Sequence, residues 1–132
     1  MKQWVIDTNV VVSGLLAPAS PPAKILRGVT DGLIRIAYDA RILAEYRDVL
    51  NRQHLGIVPA KIATFIAELH RQKLISAMRR LHEGPDPDDV MFIEVALATP
   101  QKTIVTGNIR DFPRAIRHGV RILTPAQALT EL

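Results

Sequence analysis

At 132 residues, with a formal net charge of +4, 48% apolar and 23% charged side chains, the chain suits one ordinary domain with a continuous core and a solvated surface. It contains no cysteine, which excludes a disulfide framework, a thiolate zinc site and a cysteine nucleophile, and suits the reducing conditions of a cytoplasm. Neither a secretory leader nor a membrane span is expected, because Asp7 and Asn9 interrupt the N-terminal apolar run and the most apolar internal stretch, Val90 to Ala98, is short and holds Glu94.

Gln3 to Ile6 reads as a first strand, an apolar run without alternation and so covered on both faces. Val10 to Leu16 begins a helix that Gly14, Pro18 and the pair Pro21-Pro22 are expected to break into a loop. Ala23 to Thr30 allows a second helix, ending near Asp31-Gly32, and Leu33 to Tyr38 a second strand. Asp39 has the position of a helix N-cap. Ile42, Leu43, Tyr46, Val49 and Leu50 then recur at helical spacing, with Glu45 on the rim of their buried face.

Pro59 opens another helix, where a missing N–H costs nothing, and its stripe of Ile62, Phe65, Ile66 and Leu69 carries it to about Lys73. Leu74 to Ala77 is expected as a third strand and Arg79 to Pro87 as a polar loop. Asp86-Pro87-Asp88-Asp89 has the form of a helix start, with Asp86 as the cap, and the helix from Asp88 to Ala98 is apolar almost all round. A fourth strand at Thr103 to Thr106, a turn at Gly107 to Arg110, a short helix at Pro113 to Arg117, a fifth strand at Val120 to Leu123 and a last helix from Pro125 complete the chain. Strands alternating with helices imply right-handed crossovers and a mostly parallel five-stranded sheet flanked by helices, a three-layer α/β/α domain spanning 1–132.

Three acids fall where such a fold would bring them together. Asp7 ends the first strand, Glu45 is early in the helix after the second, and Asp89 is in the first turn of the long apolar helix. Asn108 closes the fourth strand in Val105-Thr106-Gly107-Asn108 and shares a crevice with Asp7 if the first and fourth strands are neighbours. Ligand chemistry in open α/β sheets gathers at the carboxyl ends of the strands. Clustered carboxylates repel one another unless a cation neutralises them, and oxygen donors suit hard ions such as Mg²⁺ or Mn²⁺. Such ions can activate water and shield a phosphodiester oxygen. A basic chain with a local nest of carboxylates is a pattern suited to handling a polyanion.

The motifs Val5-Ile6-Asp7-Thr8-Asn9-Val10, Ile42-Leu43-Ala44-Glu45-Tyr46-Arg47-Asp48-Val49-Leu50, Asp86-Pro87-Asp88-Asp89 followed by Val90-Met91-Phe92-Ile93-Glu94-Val95-Ala96, and Ile104-Val105-Thr106-Gly107-Asn108 with Asp111-Phe112 stand in the order of one known family. In these the chain resembles PIN-domain nucleases, particularly the toxin-like branch related to VapC ribonucleases of toxin–antitoxin pairs. The resemblance implies a parallel α/β sheet, divalent metal, cleavage of single-stranded RNA to a 3′-hydroxyl and a 5′-phosphate, homodimers and inhibition by a cognate antitoxin. By that likeness Asp7, Glu45 and Asp89 are the acidic metal ligands, and Asn108 stands where a fourth acid is often found. Asp111 could compensate for the missing charge. Thr8 and Asn9, and more weakly Ser13, would orient Asp7 or a water, while Arg110, Arg114 and Arg117 follow Asn108 at the expected mouth of the site and would meet the RNA backbone.

Each residue also has an ordinary explanation. Asp7 could cap the helix after the strand, Glu45 could pair with Arg41 at i−4, and Asp86, Asp88 and Asp89 could all serve the helix dipole, with Asp88 also an understudy to Asp89. Glu94 lies far round the helix from Asp89 and reads as a salt-bridge or dimer residue. A catalytically weak PIN-like module that binds RNA or protein is the rival from another class. A phosphatase with an aspartyl nucleophile wants a second acid two residues after Asp7, where Asn9 stands.

Overall fold

The computed structural model describes residues 1–72 and 87–132. The first strand, β1 (Lys2–Ile6), buries Trp4, Val5 and Ile6 completely, as a strand covered on both faces must. Helix α1 (Thr8–Leu16) follows with one residue between, and it runs straight through Gly14. Gly14 is a packing position rather than a break: a Cβ there would stand 2.6 Å from Leu26 Cδ1 on helix α2 (Pro21–Thr30). The proline pair likewise opens α2 instead of marking a loop. Ser20 caps the helix by accepting the Ala23 N–H, and Pro21 and Pro22 fill first-turn positions whose N–H groups have no intrahelical acceptor.

Strand β2 (Ile34–Ile36) leads to helix α3 (Ala40–Leu50), whose N-cap Asp39 accepts the Ile42 N–H through Oδ1 at 3.1 Å, as expected. Helix α4 (Pro59–Arg71) opens on its proline. Helix α5 (Pro87–Leu97), strand β3 (Thr103–Val105), strand β4 (Arg121–Leu123) and helix α6 (Pro125–Leu129) follow, with short 3-10 turns at Ile109–Asp111 and Arg114–Ile116. Thr124 and Gln127 close a reciprocal capping box at the start of α6.

The sheet is wholly parallel, in the order β2-β1-β3-β4, with Trp4 opposite Ile36, Ile6 opposite Val105 and Val105 opposite Leu123. Five strands are expected from the sequence and four are present among the described residues. The expected strand at Leu74 to Ala77, and the expected cap Asp86, lie outside the described residues. Helix α5 packs on β1 and β3, α2 on β2 and α6, and α3 on α1 and α5. The core gathers Trp4, Ile6, Ile36, Tyr38, Tyr46, Phe92 and Phe112, with Phe92 and Phe112 meeting edge to face at 6.4 Å.

The chain leaves β1 to one side to form β2 and later returns to the other side as β3. The strand order therefore reverses between β1 and β3, the place where α/β sheets open a crevice at their carboxyl ends. Asp7 follows β1 at that crest and Thr106 follows β3 beside it, joined by the Asp7 N–H donating to the Val105 carbonyl at 2.9 Å.

Candidate active site

Asp7 occupies the N-cap position of α1, with the extended backbone that position needs, yet its side chain makes no capping hydrogen bond. Its carboxylate turns to the neighbouring strand instead. Oδ2 accepts the Thr106 hydroxyl at 2.7 Å and the Asn9 amide at 3.2 Å, and the residue is buried. The capping explanation for Asp7 therefore fails on geometry. Burial raises the carboxyl above its ordinary pKa. The Thr106 hydroxyl, the Thr8 backbone and the Asn9 amide pull it back, and the charge of Asp111 pushes it up again.

Asn9 is held from both ends. Its Oδ1 accepts the Gly107 N–H at 2.9 Å, which leaves its Nδ2 to donate to Asp7 and, at 3.5 Å, to Thr106 Oγ1. Gly107 lies close against it, since a Cβ at 107 would stand 3.3 Å from Asn9 Oδ1. Because the amide orientation is set by the backbone of the opposite strand end, Asn9 presents only a donor to Asp7.

Thr8 acts in two places: its backbone lies against the Asp7 carboxylate, and its hydroxyl donates to Glu45 Oε2. Glu45 is half-buried on α3, and this bond ties it to the first turn of α1. The next residue, Tyr46, is fully buried and donates its hydroxyl to the Ile6 carbonyl, immediately before Asp7. Burial first, then the charges of Asp7 and Glu45, raise the Tyr46 pKa well above its ordinary value, so the phenol stays a neutral donor. Arg41 is not spent on Glu45. Its guanidinium joins Asp39 and Glu94, and Glu94 is thereby a salt-bridge residue.

Thr106 is the residue that sequence reasoning missed. Fully buried, it donates to Asp7 and its Oγ1 accepts the Asn108 N–H at 3.0 Å, linking the acid of one strand to the loop after the other. The available signal was a hydroxyl at the end of an apolar strand, followed by Gly and Asn. Asn108 is exposed and donates through Nδ2 to Asp111 Oδ1 at 3.0 Å, so the amide and the acid three residues on form one unit. Asp89 is half-buried in the first turn of α5. Ser13 is exposed further along α1. Of the arginines, Arg110 and Arg114 are exposed, whereas Arg117 is half-buried and donates through Nε to the Phe112 carbonyl at 2.7 Å.

The crevice thus offers carboxylate, hydroxyl and amide oxygens, a donor set that suits a hard divalent cation. The raised pKa of Asp7 is a cost of burial and like charge that a bound cation would remove. Thr106 and Asn9 donate to Asp7, Thr8 donates to Glu45, and Asn108 donates to Asp111. Among the described residues no three His, Cys, Asp or Glu side chains are gathered closely enough to hold a metal between them.

Fold and site together define a parallel α/β domain with an acid-bearing crevice at its switch point. The sequence matches the family model described as PIN domain over residues 3–110, and the chain belongs to the PIN-domain family. PIN domains are generally nucleases and generally use divalent metals. Neither the curated proteins nor the solved structures gave a match to the chain.

Proposed function

We propose that the chain is a metal-dependent endoribonuclease that cleaves single-stranded RNA, acting in the cytoplasm as the toxin of a toxin–antitoxin pair. The observation that carries the reading is Asp7: a buried carboxylate at the sheet's switch point that forgoes its helix cap and is aimed at the end of the adjacent strand. Asp7, Glu45 and Asp89, with Asp111 or Asn108, would hold one or two Mg²⁺ or Mn²⁺ ions. The chemistry such ions supply is activation of water and screening of the phosphodiester.

The chain's own residues prepare that chemistry. Thr106 and Asn9 donate to Asp7 and so favour its ionised form, against the burial that opposes it. Thr8 restrains Glu45, and Asn108 restrains Asp111. The exposed guanidiniums of Arg110 and Arg114 would meet the phosphates that flank the scissile bond, with Arg117 bracing the loop behind them. Hydrolysis would leave a 3′-hydroxyl and a 5′-phosphate. A homodimer and a cognate antitoxin complete the proposal.

The test is cleavage of a single-stranded RNA in Mn²⁺. Asp7→Asn, equal in size, should abolish cleavage with the circular dichroism spectrum unchanged, and undiminished cleavage by that variant would sink the assignment. One observation favours a second reading, a module that binds RNA or protein without cutting: Asn108 brings an amide, not a charge, to the fourth corner. Titration of Mn²⁺ into the wild-type protein separates the two, since only the enzyme should show uptake that Asp7→Asn removes.

A further inference from the structure

Glu45 and Asp89 stand on different helices, and nothing in the strand pairing sets the angle between α3 and α5. A charged junction links those helices. Arg41 of α3 donates through Nη1 to Glu94 Oε1 at 2.7 Å, and through Nε and Nη2 to Asp39 Oδ2 at 2.9 and 2.8 Å. Asp39 in turn caps α3 by accepting the Ile42 N–H. One guanidinium therefore grips both the start of α3 and the middle of α5.

Glu94 is only 3% exposed, on a helix whose neighbouring residues Val90 to Ile93 and Val95 to Ala96 are apolar and buried. A carboxylate in such surroundings is costly, and an apolar residue of similar volume would stabilise the packing as well or better. A planar fork that donates in fixed directions adds something an apolar contact cannot, which is control of angle as well as distance. Arg41 lies one helical turn before Glu45, on the same side of α3. Glu94 lies five residues after Asp89, about 7.5 Å along α5.

We propose that Arg41 and Glu94 are positioning residues: their junction sets α3 against α5 and so sets Glu45 relative to Asp89 for metal binding. The inference rests on the metal-dependent reading above. It is tested by calorimetric titration of Mn²⁺ alone into the wild-type protein, Asp7→Asn, Arg41→Lys and Glu94→Gln, well below the melting temperature of each, with thermal melts run alongside. Arg41→Lys keeps the charge but cannot reach both carboxylates as a fork. It should bind Mn²⁺ about tenfold more weakly, in the range seen when groups that orient metal ligands are lost.

Glu94→Gln keeps an oxygen acceptor for the fork and should fall between Arg41→Lys and the wild type; it carries the same test should Arg41→Lys fail to fold. Lower melting temperatures with wild-type Mn²⁺ affinity in both variants would mean the junction serves stability alone, and would overturn the inference while the metal reading stands. Absence of Asp7-dependent Mn²⁺ uptake by the wild type would overturn both.

Discussion

Asp7 is the residue at which burial and the proposed metal-binding role pull in opposite directions. Its carboxyl pKa is raised, chiefly by burial, with Asp111 adding to the rise. The folded state therefore holds the Asp7 proton more tightly than the unfolded chain does. The stability this lends is fully present below the ordinary carboxylate pKa and is lost as pH rises through the folded value, after which the cost stays constant. Asp7→Asn, which cannot ionise, should melt above the wild type at pH 7, with the gap closing as pH falls to the ordinary carboxylate range. A gap that does not narrow on acidification would show that Asp7 ionises in the fold as freely as in the open chain. Thr106→Val should act in the other direction. It strips Asp7 of a 2.7 Å donor and the Asn108 N–H of its acceptor, at a cost of about 1–3 kcal/mol by denaturant unfolding, and it should raise the Asp7 pKa further in an NMR titration. Thr106→Ser should restore both. Asp7 stands out in the sequence because it ends an apolar strand, whereas Glu45 and Asp89, on helices, stand out only through the pattern of four motifs taken together. The hydroxyl of Thr106 does not stand out, because threonine is common in strands and only the β1–β3 pairing shows which side chain it faces.

At the level of elements, α3 is the part on which the site depends most. It is fixed at its start by Asp39, at Glu45 by the Thr8 hydroxyl, and at Tyr46 by a hydroxyl buried against the end of β1. Tyr46 also meets Phe65 of α4 edge to face at 5.6 Å, so its ring joins α3 to a third element. Tyr46→Phe keeps the ring and removes only the donor to the Ile6 carbonyl. It should lower stability by about 1–2 kcal/mol in urea unfolding with the slope of the transition unchanged. A neutral substitution would mean that the Ile6 carbonyl finds another donor. Periodicity showed α3 and α4 because each carries a single apolar stripe, and β1 because its run is short and unbroken. It failed at α1 and at the start of α2 for a definite reason. Gly14 and the Pro21-Pro22 pair signal breaks when read locally, but Gly14 is where α1 and α2 touch and the prolines occupy first-turn positions that tolerate them. Tertiary approach, which local reading cannot see, decided the first, and the local cap at Ser20 decided the second.

The whole molecule carries a net charge of +4 while Asp7 and Asp111 bring negative charge to its crevice, so attraction of a polyanion must come from elsewhere on the surface. The loop after β3 is the natural source, because it begins beside Asp7 and carries three arginines within eight residues. The structure divides them. Arg117 is half-buried and tied to the Phe112 carbonyl, whereas Arg110 and Arg114 are exposed. If RNA follows this loop, the exposed pair releases counterions on binding and the tied one contributes mainly to the shape of the loop. Binding of a single-stranded oligoribonucleotide by the Asp7→Asn protein, in which cleavage should not interfere, can be followed from 50 to 200 mM salt. Each lost phosphate contact should reduce the slope of log K against log salt by about 0.7, so Arg110→Gln with Arg114→Gln should reduce it by about 1.4. The loss should be nearly uniform across RNA sequences, because phosphate contacts position a strand without reading its bases. Arg52, whose charge already faces Asp48 at 3.1 Å, serves as the control, and Arg52→Gln should leave the slope as it was. A slope unchanged in the double variant as well would place the RNA path away from this loop.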